Sequence, residues 1–241
     1  MRSLDEVPHS ARRGALAMRA ELLAQFPDGI AAIWLYGSNV FGYSGIDIDL
    51  HVLLREYPDD AQTQWLRELD RRVTESEGVG EIDCWYITLD AARGPDQPRD
   101  LRHTNVRDLH WSLHCAHWLA GACVVVHGIS PLDVLPTPTW PELEATLRQE
   151  IEDAGRYLAD GTAYWTLQLC RVLASLETRD VVRSKLDSAD WELDHLPPST
   201  HPAITAASRY YHHTPQPGDP ELIRAGYPNV YAAVRGLIRN A

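Results

Sequence analysis

A chain of 241 residues can bury a sizeable core as one large domain or two of ordinary size, and 44% hydrophobic with 23% charged residues is the balance of a soluble globular protein. Its 34 acidic side chains outnumber 22 basic ones, and the resulting formal charge of -12 disfavours a nucleic-acid substrate and favours a polycationic small molecule. No run approaches the roughly 18 apolar residues that a membrane span needs, so membrane insertion is excluded as well.

Asp5, Glu6, Arg12 and Arg13 precede any apolar stretch, which does not read as a signal peptide. Cys84, Cys115, Cys123 and Cys170 are too dispersed for a zinc knuckle or a disulfide framework. A cytoplasmic protein with buried free thiols is expected.

Ser10 to Gln25 spaces Leu16, Ala20, Leu22 and Leu23 as one face of a helix, which the Pro27-Asp28-Gly29 turn ends. Ile30 to Tyr36 is a compact apolar run that stops at Gly37, a buried strand. Ile46 to Leu54 alternates Asp47, Asp49 and His51 with Ile48, Leu50 and Val52, a strand with one polar and one buried face. A charged helix is expected from Asp59 to Thr74 and a third strand from Glu81 to Ile87, with Glu81 and Asp83 on one face. Val106 to Ala120 reads as a helix and Cys123 to Val126 as a short fourth strand.

Beyond the prolines at 131, 136 and 138 the pattern is helical only, over residues 140–159, 162–178, 185–195, 200–212 and 227–239. Turns at Leu196-Pro197-Pro198 and Pro217-Gly218-Asp219-Pro220 separate them. The proline-rich stretch is the natural boundary between an α/β domain, residues 1–136, and an all-α helical-bundle domain, residues 137–241.

The segment that carries chemistry is Leu35-Tyr36-Gly37-Ser38, a short spacer, then Asp47-Ile48-Asp49. Gly37 lets the backbone turn sharply and approach a ligand. Ser38 offers a hydroxyl and an N–H at a helix start, which suits a phosphate oxygen. Asp47 and Asp49, two apart on a strand, project from one face and repel each other unless a cation neutralises them. Mg²⁺ is suited to such a pair, since it binds one or two carboxylates and keeps positions for substrate phosphates. His51 shares that face and is read as a hydrogen-bonded core histidine. His110, His114 and His117 recur at helical spacing; they are read as a polar stripe between apolar ones, because Trp111 stands where a zinc-hydrolase motif needs glutamate.

These residues resemble the nucleotidyltransferases of the DNA polymerase β-like fold, whose signature is Gly-Ser, a spacer, Asp-x-Asp and a third carboxylate on a neighbouring strand. The second half is similar to the helical domain of the aminoglycoside 3''-adenylyltransferases, on Tyr164 to Arg171, Leu176-Glu177-Thr178, Ser184-Lys185, Ala189-Asp190-Trp191 and Leu196-Pro197.

The resemblance implies a mixed polymerase β-like sheet with helices, followed by the helical domain. It implies transfer of AMP from ATP to a hydroxyl of a small cationic aminoglycoside or aminocyclitol, with pyrophosphate released. Asp47 and Asp49 hold Mg²⁺, Gly37 and Ser38 meet the nucleotide phosphates, and Glu81 is the catalytic base. Geometry alone leaves Asp83 as its alternative. Arg171, Lys185 and Tyr211 contact the nucleotide from across a cleft, with Tyr210 able to exchange roles with Tyr211. The protein is expected to act as a monomer, without nucleic acid or membrane.

Two departures matter. Ile46 stands where the family has serine before the first aspartate, with Ser44 two residues earlier in a shorter loop. Streptomycin-contacting members have an acidic residue just before the Tyr164 position, where this chain has Gly161-Thr162-Ala163, so spectinomycin is expected over streptomycin. The other readings are transfer to a different hydroxylated metabolite, or a non-catalytic nucleotide-binding or antitoxin-like module.

Overall fold

A computed structural model describes residues 2–41, 47–94, 96–103 and 105–240. The chain divides into two compact units, Met1–Pro138 and Thr139–Ala241. Among the described residues the first unit forms a four-stranded mixed sheet in the order β3-β2-β1-β4.

Helix α1 (His9–Gln25) buries Ala11, Ala15, Met18 and Leu22; of the face expected from its spacing only Leu22 is buried, whereas Leu16 and Ala20 are exposed and Leu23 is half-buried, because the small residues Ala11, Gly14 and Ala15 turn inward. Strand β1 (Ile30–Tyr36) is buried along its whole length, which is why it lacks polar alternation. Strand β2 (Asp47–Leu54) exposes Asp47, half-buries Asp49 and buries the remainder. The expected first residue of that strand, Ile46, lies outside the described residues, as does Ser44. β1 and β2 pair antiparallel, with Tyr36 opposite Asp49 and Trp34 opposite His51.

Helix α2 (Asp60–Glu77) runs three residues beyond its expected end, from an Asp59/Gln62 capping box to Gly78 in the left-handed conformation. Strand β3 (Glu81–Thr88) lies parallel to β2, and a short helix α3 (Leu89–Arg93), absent from the expected elements, follows it. Helix α4 (Trp111–Leu119) starts five residues later than the spacing suggests. The described residues between Pro98 and His110 are held otherwise: Arg99 bridges Arg107, Asp108 N–H donates to the Pro98 carbonyl at 2.9 Å, and the Asp108 carboxylate accepts the His110 N–H. Strand β4 (Val124–Gly128) completes the sheet beside β1.

The second unit is helical throughout its described elements: α5 (Trp140–Gly155), α6 (Ala163–Thr178), α7 (Lys185–Glu192), α8 (His201–Tyr211) and α9 (Asp219–Asn240). Side chains of the type that favours helix starts open three of them: Thr139 with Glu142 for α5, Thr162 for α6 and Ser184 for α7. α6 packs against α5, α7, α8 and α9, which is why its apolar residues surround the helix instead of forming one stripe. α9 begins eight residues before its expected start: Pro220 follows Asp219 in the first turn, where proline is tolerated, and Pro228 lies inside the helix. Among the described residues no helix is long and apolar enough to cross a membrane.

Candidate active site

The parallel pairing of β2 with β3 sets Asp47 beside Glu81 and Asp49 beside Asp83. Adjacent strands lie about 4.8 Å apart, so carboxylates from both gather at one end of the sheet. Asp47, Glu81 and Asp83 are exposed there, and Asp49 is half-buried. The Asp83 carboxyl is pushed above the usual carboxylate range, first by the protein mass around it and then by Asp47, Glu81 and Asp100, with Arg102 opposing.

The loop after β1 closes onto this end. Gly37 adopts φ +74°, and a Cβ there would land on the Asp49 carboxylate; glycine is therefore required by both conformation and space. Asn39, buried in the 3₁₀ turn Ser38–Phe41, donates from Nδ2 to the Asp47 carbonyl at 2.7 Å. The Ser38 hydroxyl is buried with no hydrogen-bond partner among the described residues.

Loop residue Arg102 ties its surroundings together. Its guanidinium donates to Asp100, to Asp70 on α2 and to the Cys84 carbonyl on β3. Tyr86 Oη also donates to Asp70, at 2.6 Å. Sequence reading missed both Asn39 and Arg102, since neither belongs to a periodic pattern or to the spaced signature.

Two residues below Asp49, His51 is fully buried. Its Nε2 lies 3.3 Å from Asp108 Oδ2, and His114 Nδ1 lies 2.8 Å from the same oxygen. Burial lowers the pKa of the His51 imidazole, against the pull of Asp108. Burial acts to raise the Asp108 carboxyl, but His114 and His51 outweigh it and hold the group well below its usual range.

His51, expected to be a hydrogen-bonded core histidine, meets Asp108 through the 3.3 Å contact of its Nε2, a separation too long to satisfy either ring nitrogen fully among the described residues. His114, expected within a polar stripe with His110 and His117, lies beside His110, pairs with Asp108 and stacks on Trp118 at 5.3 Å. The Tyr36 ring touches both His51 and His114, at 5.2 and 5.1 Å. Its hydroxyl is raised well above its ordinary range by burial and then by Asp49, Asp108 and Asp83, so it remains a neutral phenol. All four cysteines are buried free thiols.

In the helical unit, Lys185 stands in the first turn of α7, with Nζ 3.8 Å from the centre of the Tyr164 ring and 5.6 Å from that of Tyr211. It also donates to Tyr211 Oη at 3.5 Å. Lys185 and Tyr211 thus come together as a cationic and aromatic group, with Tyr164 added. Arg171, on α6, lies 3.9 Å from Glu150.

Residues 139–224 match the family described as aminoglycoside adenylyltransferase, C-terminal domain. No curated protein matches the sequence. Among solved structures, the crystal structure of spectinomycin adenyltransferase AAD(9) from Enterococcus faecialis with ATP and spectinomycin is similar, with a TM-score of 0.76. The match spans 92% of this chain and 98% of that one at 13% sequence identity, which speaks for a shared fold. A mixed sheet with helices followed by a helical unit is the fold shared with that solved structure. More closely, the helical unit is similar to the C-terminal domain of the aminoglycoside adenylyltransferases.

Proposed function

We propose that the chain is a Mg²⁺-dependent enzyme that moves AMP from ATP to a hydroxyl of an aminocyclitol, releasing pyrophosphate. One observation carries this reading: the register of β2 and β3, which pairs Asp47 with Glu81 and Asp49 with Asp83 at the end of the sheet where Gly37 and Ser38 lie. The donor set fits the ion. It offers carboxylate oxygens on exposed or half-buried side chains, where water and phosphate oxygens can complete an octahedron. Asp47 and Asp49 would hold the ion, whose chemistry is to neutralise charge on the transferred phosphoryl group.

The protein's own groups do the rest. Glu81 accepts the proton of the attacking hydroxyl, with Asp83 beside it in a more crowded carboxylate environment. The Ser38 hydroxyl, buried without a partner among the described residues, is a donor for a phosphate oxygen. Lys185 and Arg171 supply positive charge to the triphosphate, and Tyr211 supplies a face or edge to the base. Spectinomycin, named with ATP in the structure of the similar AAD(9), is the proposed acceptor. The net charge of -12 suits its cationic character.

Pyrophosphate release from ATP and Mg²⁺ should be measured against a panel of aminocyclitols, aminoglycosides and other hydroxylated metabolites. Release that depends on an aminocyclitol is the expected result. Release with a different hydroxylated compound would move the acceptor. No release with any compound would make the chain a nucleotide-binding module without catalysis.

A further inference from the structure

The geometry points to a second, buried metal site in the first unit, distinct from the carboxylates at the sheet end: a Zn²⁺ ion held by His51 Nε2, Asp108 Oδ2 and His114 Nδ1, fastening β2 to α4 through the loop between α3 and α4. The three donor atoms all lie within 4.8 Å of one another. Asp108 Oδ2 is 3.3 Å from His51 Nε2 and 2.8 Å from His114 Nδ1. A tetrahedral Zn²⁺ with bonds of 2.0–2.1 Å holds its ligand atoms about 3.3 Å apart, which the Asp108 distances to His51 and His114, 3.3 and 2.8 Å, already approach.

The surroundings argue for an ion as well. His51 is 0% exposed and Asp108 1%, inside a box formed by Tyr36, Trp85, Trp111 and Trp118. In so apolar a place a polar side chain is expected to be paired, and an orphaned ring nitrogen is destabilising. Asp108 can take one proton from His114, but that leaves both nitrogens of His51 without a hydrogen-bond partner among the described residues. A cation on Nε2 satisfies the His51 lone pair and neutralises the buried carboxylate at once.

Two imidazoles and one carboxylate suit zinc and other late first-row ions. Mg²⁺, which prefers oxygen and retains its waters, is matched to the exposed Asp47 and Asp49 instead. His114, with 21% of its side chain accessible, gives the ion a way in. The site would also brace the strand that carries Asp49, since His51 stands two residues beyond it.

The test uses the full-length protein, stripped of metal with a chelator and returned to Zn²⁺ in Mg²⁺-free buffer. Bound zinc is counted by mass spectrometry, and Co²⁺ serves as the spectroscopic probe. We expect one Zn²⁺ per chain, a higher thermal midpoint with zinc, and an intense visible Co²⁺ band of low coordination number. Asp49→Asn should keep all three, whereas His114→Gln and Asp108→Asn should each weaken zinc binding by at least 10-fold.

The wild-type Co²⁺ spectrum decides the matter even if those variants fold poorly. A weak octahedral band, or no stoichiometric zinc at micromolar concentration, overturns the proposal. So does zinc that is lost in Asp49→Asn but kept in folded His114→Gln, which would place the ion at the sheet end.

Discussion

An alanine at position 37 would have to hold φ at +74° and would drive its Cβ into the Asp49 carboxylate, so two separate penalties fall on one methyl group. Gly78 isolates the first of them. It also has a positive φ, +59°, yet a Cβ there meets nothing within 4 Å. Both Gly37→Ala and Gly78→Ala should lose about 1–2 kcal/mol from backbone strain. Only Gly37→Ala should lose turnover, because only there does the methyl displace a proposed metal ligand. Urea unfolding and pyrophosphate release on the two variants separate the effects, and an active Gly37→Ala would mean that Asp49 can move without consequence. Asp49→Asn asks the complementary question. It removes a ligand and a like charge together, so transfer should be abolished while stability holds or rises. Unchanged turnover in the folded variant would take Asp49 out of the metal site.

At the scale of elements, the pairing of β2 with β3 turns two short motifs into one group of carboxylates. Glu81→Gln should lower kcat by roughly 10²–10⁴-fold, the usual contribution of a general base, while ATP binding survives. An active Glu81→Gln beside a silent Asp83→Asn would transfer the role to Asp83. The spacing of Asp47 and Asp49, and the uniform apolarity of Ile30 to Tyr36, made these strands legible because a strand records its two faces every second residue. The start of α4 was not legible: Asp108 is held by Pro98 and by a histidine 57 positions earlier, contacts that local periodicity does not encode. The start of α9 was hidden by Pro217-Gly218-Asp219-Pro220, which reads as a turn, whereas its last two residues open the helix, where proline is tolerated. A further consequence lies on α7, where Glu192 is buried with neither carboxylate oxygen hydrogen-bonded among the described residues. Burial, and then Glu177, push its carboxyl from 4.5 up to about 8. The folded state therefore keeps a proton that the unfolded chain releases, and its contribution to stability falls as pH rises from 4.5 through about 8. At about 1.4 kcal/mol for each tenfold change in proton affinity, the loss is at most roughly 5 kcal/mol, and less to the extent that solvent reaches the carboxyl. Glu192→Gln should flatten that slope in unfolding midpoints measured from pH 5 to 9, and an unchanged slope would mean that another group governs it.

For the whole molecule, acceptor choice combines a general charge effect with one local contact. The -12 net charge draws in any cationic aminocyclitol, and salt weakens that attraction for every such compound. A ratio of kcat/KM values taken at one ionic strength therefore largely cancels the long-range contribution and reports the pocket. In the proposed pocket the segment before Tyr164 offers Thr162 and not an acidic side chain. Thr162 carries no charge, and its hydroxyl already accepts the Trp165 N–H at 3.3 Å as the cap of α6. Streptomycin presents guanidinium groups that want a carboxylate, and lacking such a partner costs about 1.5–3 kcal/mol, or roughly 10- to 150-fold. Spectinomycin is compact and has no guanidinium to satisfy, so its kcat/KM should exceed that of streptomycin. Thr162→Asp provides the internal control: aspartate caps a helix about as well as threonine, so α6 should stay intact while the missing charge is restored. That variant should raise kcat/KM for streptomycin about 10-fold and leave spectinomycin within a factor of a few. A wild-type preference for streptomycin would remove Thr162 from the acceptor pocket, and so would a Thr162→Asp variant that leaves both values unchanged.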